Sequence, residues 1–282
     1  MFKFFSKKEI WLPIVILIVV GGFVYSFNLN NQLFWDDNDW IINNNFVHAI
    51  SWDNIKFWFT HDVLAGIGLT SNYYRPFLFL TFAFNYIISG VNPLGYHLFS
   101  NLIHIANGIL VFLLIQRVFK KKLIAFLTSL IFLIHPLQTE AVTYISGRGD
   151  VLVVFFMLLA ILFFYKAENS IMASQNRIFG FSMSKFISVA FLILGVLSRE
   201  TGIIFPFLAL FIYVSFISEE RFLRSIWRGL SRTWIYFAVV LAYGILRLTS
   251  LNFINTLNFY QSPNIYSEHL HVRLFTFLHV LV

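Results

Sequence analysis

The stretch that decides the fold is residues 10–27, IWLPIVILIVVGGFVYSF, an almost unbroken apolar run that follows the basic residues Lys3, Lys7 and Lys8. A secretory signal peptide also joins a basic segment to an apolar one, but this run is too long and no A-x-A-like cleavage site follows it. About 20 apolar residues cross a hydrocarbon core about 30 Å thick. We therefore predict an uncleaved first membrane span with its basic end in the cytoplasm, so that Asn28 emerges on the far side.

The composition of the whole chain agrees with a membrane protein. Of the 282 residues, 59% are hydrophobic and only 12% are charged, and the mean hydropathy is +0.76, whereas soluble domains are about 45–50% apolar. The net charge of +7 could suggest nucleic acid. The basic residues, however, are dispersed in short clusters between apolar segments, as topology signals are, so we expect no nucleic-acid partner. The absence of Cys excludes disulfides, thiolate metal sites and Cys nucleophiles.

The remaining apolar runs predict about eight spans in a single all-α domain over residues 1–282. The further spans are placed at residues 96–118, 123–136, 150–166, 185–199, 201–217 and 233–250, with a final one that begins near residue 270. Residues 29–95 form a long first extracytoplasmic loop. Its apolar segment 76–89 is laid flat as an interfacial helix, because a span there would put the basic residues 117–122 outside. The last run is unfinished at Val282, so we expect the chain to end within a span, with no soluble C-terminal domain.

The charged residues divide unequally between the two sides. This topology puts 14 of the 20 basic residues in the cytoplasm: Lys3, Lys7, Lys8, Arg117, Lys120, Lys121, Lys122, Lys166, Arg177, Lys185, Arg221, Arg224, Arg228 and Arg232. It puts 9 of the 13 acidic residues outside: Asp36, Asp37, Asp39, Asp53, Asp62, Glu140, Asp150, Glu200 and Glu268. Because acidic residues contribute little to orientation, their accumulation outside indicates a polar site there.

Four motifs that mix charged with apolar residues are predicted at the outer ends of the spans: Trp35–Asp39, Tyr73–Pro76, Gly147–Asp150 and Ser198–Glu200. Charges near membrane depth are costly unless they are paired or functional, so the motifs together form a site hypothesis. A carboxylate beside arginines suits the attack of a hydroxyl on an activated sugar whose leaving group is a lipid-linked phosphate. The carboxylate takes the proton, and the arginines offset the charge on the phosphate. Such a single displacement inverts the anomeric centre.

Each motif also has a purely structural interpretation. Asp36 and Asp37 could cap a loop helix. Arg148 with Asp150 could form a structural ion pair. The motif Arg199–Glu200 could anchor the chain at the membrane interface.

Histidines supply a further candidate site. His97 and His104 lie seven residues apart on one face of a predicted helix, and His135 with Glu140 lies near the outer end of another. Together they could hold a divalent metal, but no tight ligand spacing such as H-E-x-x-H is present. The favoured interpretation is that they are buried hydrogen-bonding residues and that no cofactor is required.

The motifs, taken in order, resemble a known family. The matching strings are Trp35-Asp36-Asp37 with Ile42-Asn43-Asn44, Tyr74-Arg75-Pro76, Gly95-Tyr96-His97-Leu98 with Asn101 and His104, His135-Pro136 with Thr139-Glu140-Ala141-Val142, Gly147-Arg148-Gly149-Asp150, and Arg199-Glu200-Thr201-Gly202. They resemble the membrane-embedded GT-C glycosyltransferases that use polyprenyl-phosphate sugars, and in particular the transmembrane and tetratricopeptide-repeat-containing protein O-mannosyltransferases. The resemblance covers residues 30 to 215 and implies a GT-C-like fold.

The resemblance also implies roles for the site residues. It makes Asp36 the catalytic base with Asp37 beside it, and Asp150 a second acidic position that faces the same cavity. Arg199 stands where the relatives more often have Lys. We expect the donor phosphate to be bound by three arginines, Arg75, Arg148 and Arg199. The residues expected to support the cavity are Tyr74, His97, His104, His135, Glu140 and Glu200.

The leading hypothesis is therefore an inverting glycosyltransferase that moves a sugar, mannose by the resemblance, from a polyprenyl phosphate to a hydroxyl of a protein Ser or Thr or of a lipid-linked acceptor. The protein would be a multi-pass protein among membrane lipids, in the plasma membrane of a bacterium or the endoplasmic reticulum of a eukaryote, with its N-terminus cytoplasmic and its active site extracytoplasmic. Two alternatives stay open. One is a transporter or flippase for a lipid-linked sugar, and the other is a truncated, non-catalytic membrane scaffold.

Overall fold

The computed structural model describes residues 7–173 and 183–253, and the regular secondary structure in these ranges is all helical. The α-helices are α1 (Lys7–Ser26), α2 (Trp52–Thr60), α3 (Pro76–Ser89), α4 (Pro93–Phe119), α5 (Lys122–Ile134), α6 (Gln138–Thr143), α7 (Arg148–Ala173), α8 (Met183–Ser198), α9 (Phe205–Ile212) and α10 (Phe222–Leu248). The final span predicted near residue 270 lies outside the described residues, as do Lys3, Arg177 and Glu268.

Four helical segments among the described residues are long and apolar enough to cross a membrane: Pro93–Phe119, Ile145–Asn169, Glu200–Ile217 and Phe222–Leu248. In the third of these, a 3-10 turn and a π turn extend α9 at its two ends. The spans predicted at the positions of α1, α5 and α8 are also helices, but their apolar parts are only 10–17 residues long. The prediction of a multi-span helical membrane protein is confirmed, whereas the count of eight spans and the single domain stay predictions.

Residues 29–95, predicted as the first outer loop, contain two α-helices with clear start signals. The hydroxyl of Ser51 accepts a hydrogen bond from the Asn54 N–H at 3.1 Å and so caps α2. Pro76 occupies the first turn of α3, where its missing N–H leaves no bond unmade. Trp58 of α2 and Phe82 of α3 are buried in one apolar cluster with residues of α7. The loop is therefore folded onto the bundle, and its placement in the membrane interface stays a prediction.

The ends of several helices meet on one side of the bundle, which we call the site end. The Asn28 side chain, just beyond α1, donates to Asn101 Oδ1 in the third turn of α4 at 2.9 Å. Near the start of α7, a Cβ on Gly149 would lie 3.3 Å from the Ser198 carbonyl oxygen at the end of α8. A glycine at this position therefore lets the two helix ends approach closely. The C-terminal end of α10 joins them, because the Arg247 guanidinium donates to the Asn72 side-chain oxygen at 3.0 Å.

The opposite end of the bundle is held by charged groups. Glu168 of α7 is 1% exposed, and its carboxylate accepts from Lys185 Nζ of α8 at 3.3 Å. The second carboxylate oxygen lies 3.8 Å from Arg232 Nε of α10. A buried carboxylate is tolerated when it is paired in this way. The pairing fixes α7, α8 and α10 relative to one another far from the site end.

Candidate active site

A cavity of about 630 Å³ opens among the helix ends at the site end. This volume falls within the roughly 300–1,000 Å³ of small-molecule sites. Its wall is formed by Asp36, Trp40, Tyr73, Arg75, His104, Asn107, Phe132, Leu137, Gln138, Glu140, Ala141, Tyr144, Ser146, Gly147, Asp150, Val151, Val154 and Arg199. Six of the twelve residues predicted to form the site therefore line one cavity: Asp36, Arg75, His104, Glu140, Asp150 and Arg199.

Asp36 lies on the loop between α1 and α2, and its side chain is exposed in the cavity wall. The preceding residue, Trp35, has a φ of 54°, a left-handed conformation that is uncommon for a bulky residue and often marks a functional turn. The Asp36 backbone N–H donates to the Tyr144 hydroxyl oxygen at 3.3 Å. Burial, together with a hydrogen bond to the Asp36 side chain, raises the pKa of Tyr144 to about 12. Tyr144 is therefore a neutral hydroxyl at physiological pH that holds Asp36 in place.

Asp37, predicted to be catalytic, is 1% exposed and lies behind the wall instead of in it. Its carboxylate accepts hydrogen bonds from the Ser146 backbone N–H at 2.8 Å, the Ser146 hydroxyl at 2.5 Å and the Phe34 backbone N–H at 3.2 Å. Burial raises the pKa of Asp37 although these three bonds lower it. The carboxylate faces protein donors, so Asp37 anchors the loop that carries Asp36 to the segment before α7. A direct role in catalysis does not fit this position.

Two arginines bring positive charge to the cavity, each beside a carboxylate. Arg199, after α8, forms an ion pair with Asp150 in the first turn of α7. Arg75, before α3, donates from Nε to Glu200 Oε2 at 3.1 Å, and its guanidinium carbon lies 4.6 Å from the centre of the Tyr73 ring. Both arginines line the cavity, and a guanidinium group can bind phosphate oxygens.

Arg148, the third arginine expected to bind phosphate, does not reach the cavity. It is fully buried, and its guanidinium donates to the Ser100 hydroxyl at 3.1 Å and the Tyr96 carbonyl oxygen at 3.0 Å. It also lies 4.8 Å from the ring centres of Phe82 and Phe99. Because these groups use its donors and surround its charge, Arg148 joins α7 to α3 and α4, and phosphate binding is not supported by its position.

The other residues predicted to support the cavity divide into two groups. His104 and Glu140 line it. His97 is buried against the Asn31 carbonyl oxygen at 3.2 Å, and the Tyr74 hydroxyl donates to the Phe59 carbonyl oxygen at 3.2 Å. The exposed His135 and the Arg75 partner Glu200 also lie outside the wall. Burial raises the pKa of Tyr74 to about 12.

The described residues contain no group of three or more His, Asp or Glu side chains arranged to hold a metal ion. The four residues considered as ligands are separated, since His97 and His135 do not line the cavity with His104 and Glu140.

Several residues of the wall were missed by the sequence reasoning. Tyr144 and Ser146 stand directly before the motif Gly147–Asp150, and their place on a connection between two helix ends was the available signal. Asn107 follows His104 by three residues, so both lie on one face of α4. A polar residue in the middle of an apolar span is itself a functional signal.

Comparisons with known proteins agree with the resemblance seen in the motifs. The family model described as dolichyl-phosphate-mannose-protein mannosyltransferase matches residues 75–246. The chain is 35% identical to Protein O-mannosyl-transferase TMTC1 of Homo sapiens over 153 residues, which are 51% of the chain and 17% of that relative. It is 30% identical to Protein O-mannosyl-transferase F38B6.6 of Caenorhabditis elegans over 196 residues, which are 67% of the chain and 26% of that relative.

A third relative, Protein O-mannosyl-transferase TMTC4 of Homo sapiens, is 28% identical over 214 residues, which are 66% of the chain and 27% of the relative. These alignments thus span between 17% and 27% of the length of the three relatives. No solved structure matches the chain.

Proposed function

The chain belongs to the dolichyl-phosphate-mannose-protein mannosyltransferase family, and on this premise we propose that it transfers one mannose from a polyprenyl phosphate to a hydroxyl acceptor, a Ser or Thr of a protein. The observation that carries the proposal is the cavity whose wall contains Asp36 together with Arg75 and Arg199. This set contains the groups that an inverting transfer needs: a base for the acceptor and cations for the leaving phosphate.

In the proposed reaction, the acceptor oxygen attacks the anomeric carbon and its proton passes to the Asp36 carboxylate. The bond between the anomeric carbon and the phosphate oxygen breaks, and polyprenyl phosphate leaves with one more negative charge. Because the phosphate is a good leaving group, no general acid is required on that side. A single displacement inverts the configuration of the sugar.

The cations would act on the leaving phosphate. Arg199 can bind two oxygens in a planar fork, and Asp150 holds the guanidinium in the wall before the donor arrives. Arg75 is oriented by Glu200 and by the ring of Tyr73. In this arrangement Arg148 and Asp37 lie behind the cavity wall and support it. Arg148 is hydrogen-bonded to Tyr96, and Asp37 is hydrogen-bonded to Ser146. The proposed chemistry requires no metal ion.

We place the cavity on the extracytoplasmic side. Of the basic residues predicted to be cytoplasmic, Lys120 and Lys121 lie in the connection between α4 and α5, and Lys185 and Arg232 pair with Glu168 at the end of the bundle opposite the cavity. If the helices at the predicted span positions all cross the membrane and the last predicted span begins near residue 270, the chain would cross the membrane about eight times. Residues 29–95 would then lie outside. The host membrane would be the plasma membrane of a bacterium or the endoplasmic reticulum of a eukaryote.

The test is the variant Asp36→Asn in purified protein supplied with radiolabelled polyprenyl-phosphate mannose and a Ser/Thr peptide. Because Asn cannot accept the proton, we expect the transfer rate to fall by at least about 100-fold while the donor still binds. The matched control is Asp39→Asn, which alters a carboxylate of the same loop that contacts Asn43 and does not line the cavity. Full turnover by Asp36→Asn would exclude Asp36 as the base. Movement of the donor across vesicles without transfer by the unaltered protein would instead favour the transporter.

A further inference from the structure

The cavity has an inner part whose chemistry differs from that of its mouth. The partly exposed residues Asp36, Asp150 and Arg199 bring charges to the wall, and we call this side the mouth. We define the inner wall as the uncharged lining residues of α4, α5 and α7, which are His104, Asn107, Phe132, Val151 and Val154. The inner wall therefore has no Lys, Arg, Asp or Glu among the described residues. A phosphate group bound at this inner wall would therefore have no cationic side chain to pair with.

Asn107 lines this inner part and carries an acceptor that has no partner among the described residues. The side chain is 1% exposed, and its Nδ2 donates to the Val151 carbonyl oxygen at 2.9 Å, which fixes the orientation of the amide. The other amide atom, Oδ1, is buried and has no hydrogen-bond partner in the part of the chain that the structure describes. Leaving a buried acceptor without a donor is unfavourable, so this atom is suited to a ligand that brings an O–H or N–H group.

His104 adds a second acceptor one helical turn away on α4. Its Nε2 lies 3.0 Å from the Leu133 carbonyl oxygen, which can only accept, so Nε2 carries the proton. The Tyr25 hydroxyl also donates to this carbonyl, at 3.0 Å, and both bonds satisfy the C-terminal end of α5. When the ring is neutral, this tautomer makes Nδ1 an acceptor. The ring is thereby fixed in the wall, and its tautomer follows from its partner.

We propose that the inner part of the cavity binds the sugar ring of the donor, with Asn107 Oδ1 accepting a hydrogen bond from one sugar hydroxyl. This proposal rests on the proposed function and names the group that selects its substrate. A hexose offers several O–H donors around a ring with apolar C–H faces, which matches two acceptors beside Phe132. Asn107 is bonded to Val151, the neighbour of Asp150, so the sugar site adjoins the proposed phosphate site at Arg199.

The first experiment uses the unaltered protein. Equilibrium binding is measured for polyprenyl phosphate, for polyprenyl-phosphate mannose and for its 2-, 3-, 4- and 6-deoxy analogues. We expect the mannosyl donor to bind more tightly than bare polyprenyl phosphate, and one deoxy analogue to lose about tenfold in affinity because it leaves Oδ1 unpaired. If all four analogues bind within twofold of the parent, the proposal is wrong.

The second experiment assigns the lost hydroxyl to Asn107. In Asn107→Leu, the mannosyl donor should bind about tenfold more weakly, the sensitive deoxy analogue should bind as it does to the unaltered protein, and bare polyprenyl phosphate should be unaffected. The matched control is Gln116→Met. Gln116 is also a buried amide of α4 with an atom unpaired among the described residues, but it lies outside the cavity wall, so donor binding should not change.

The outcomes separate this proposal from the function on which it rests. If the unaltered protein binds neither polyprenyl phosphate nor the mannosyl donor, the donor assignment fails and the sugar site fails with it. If it binds both equally, or if Asn107→Leu weakens bare polyprenyl phosphate by the same factor, only the sugar site is overturned. Even if Asn107→Leu does not fold, the deoxy series on the unaltered protein can still overturn the proposal.

Discussion

The bond between Asp37 and Ser146 should control both stability and the position of Asp36, the proposed base. Ser146→Ala removes the hydroxyl that donates to Asp37 Oδ1 at 2.5 Å and leaves the backbone N–H bond to the same oxygen at 2.8 Å. A hydrogen bond to a charged group contributes about 1.5–3 kcal/mol, so we expect the free energy of unfolding to fall by about 2 kcal/mol. Asp36 directly precedes Asp37 in the chain, so loss of this bond should displace it. A displacement of about 1 Å at a reacting group costs about 100-fold in rate. The transfer rate should therefore fall by about 10- to 100-fold.

Stability is measured by unfolding in mixed detergent micelles, and the transfer rate is measured separately from the donor Kd. Donor affinity should stay within about twofold, because the Ser146 hydroxyl is directed to the buried Asp37 although Ser146 itself lines the cavity. The control is Ser129→Ala, which removes a fully buried hydroxyl that donates within its own helix to the Phe126 carbonyl oxygen at 2.9 Å. This change should cost about 1 kcal/mol or less and leave transfer unchanged. If Ser146→Ala behaves like Ser129→Ala in both measurements, the anchoring role of Asp37 is refuted.

Substitution of Arg148 should lower stability but not donor binding, whereas substitution of Arg199 should weaken donor binding. Arg148→Met removes buried hydrogen bonds and contacts with two aromatic rings and should lower the free energy of unfolding by about 3 kcal/mol. Its folded fraction should bind donor normally, and a tenfold weaker donor Kd at unchanged stability would contradict its supporting role. Arg199→Gln should weaken binding of polyprenyl phosphate by about 30-fold, and Arg199→Lys by less, because Lys keeps the charge but lacks the planar fork. Unchanged binding by Arg199→Gln would exclude Arg199 from the phosphate site.

The sequence identified motifs better than it assigned roles within them. Motif order brought Asp36, Arg75, Asp150 and Arg199 together correctly in one cavity, although 163 residues separate the first from the last in sequence (199 − 36). Motif order also predicted the same catalytic role for Asp36 and for its neighbour Asp37, however, and the position of Asp37 shows why neighbouring residues can differ. On the turn that begins at Trp35, consecutive side chains point in different directions, so Asp36 faces the cavity and Asp37 faces Ser146.

Arg148 shows the same limit on a helix. It stands two residues before Asp150, and the two side chains therefore project from different sides of α7. Asp150 reaches Arg199 in the cavity wall, while Arg148 points into the protein between α3 and α4. Sequence alone supplies the charge of such a residue but not the partners that satisfy it.

By itself, the sequence determined the helical class, the order of the long apolar helices and four charged motifs, each of which places at least one residue in the cavity wall. These follow from apolar run length, from the basic residues between runs and from start signals such as Pro76, all of which act locally along the chain. The tertiary structure alone decided which of the charged residues line the cavity, that Asp37 and Arg148 lie behind it, and that Asn107 Oδ1 is buried without a partner in residues 7–173 and 183–253. Those outcomes depend on how helices distant in sequence pack together, since packing decides whether a polar atom meets a protein partner or an open cavity.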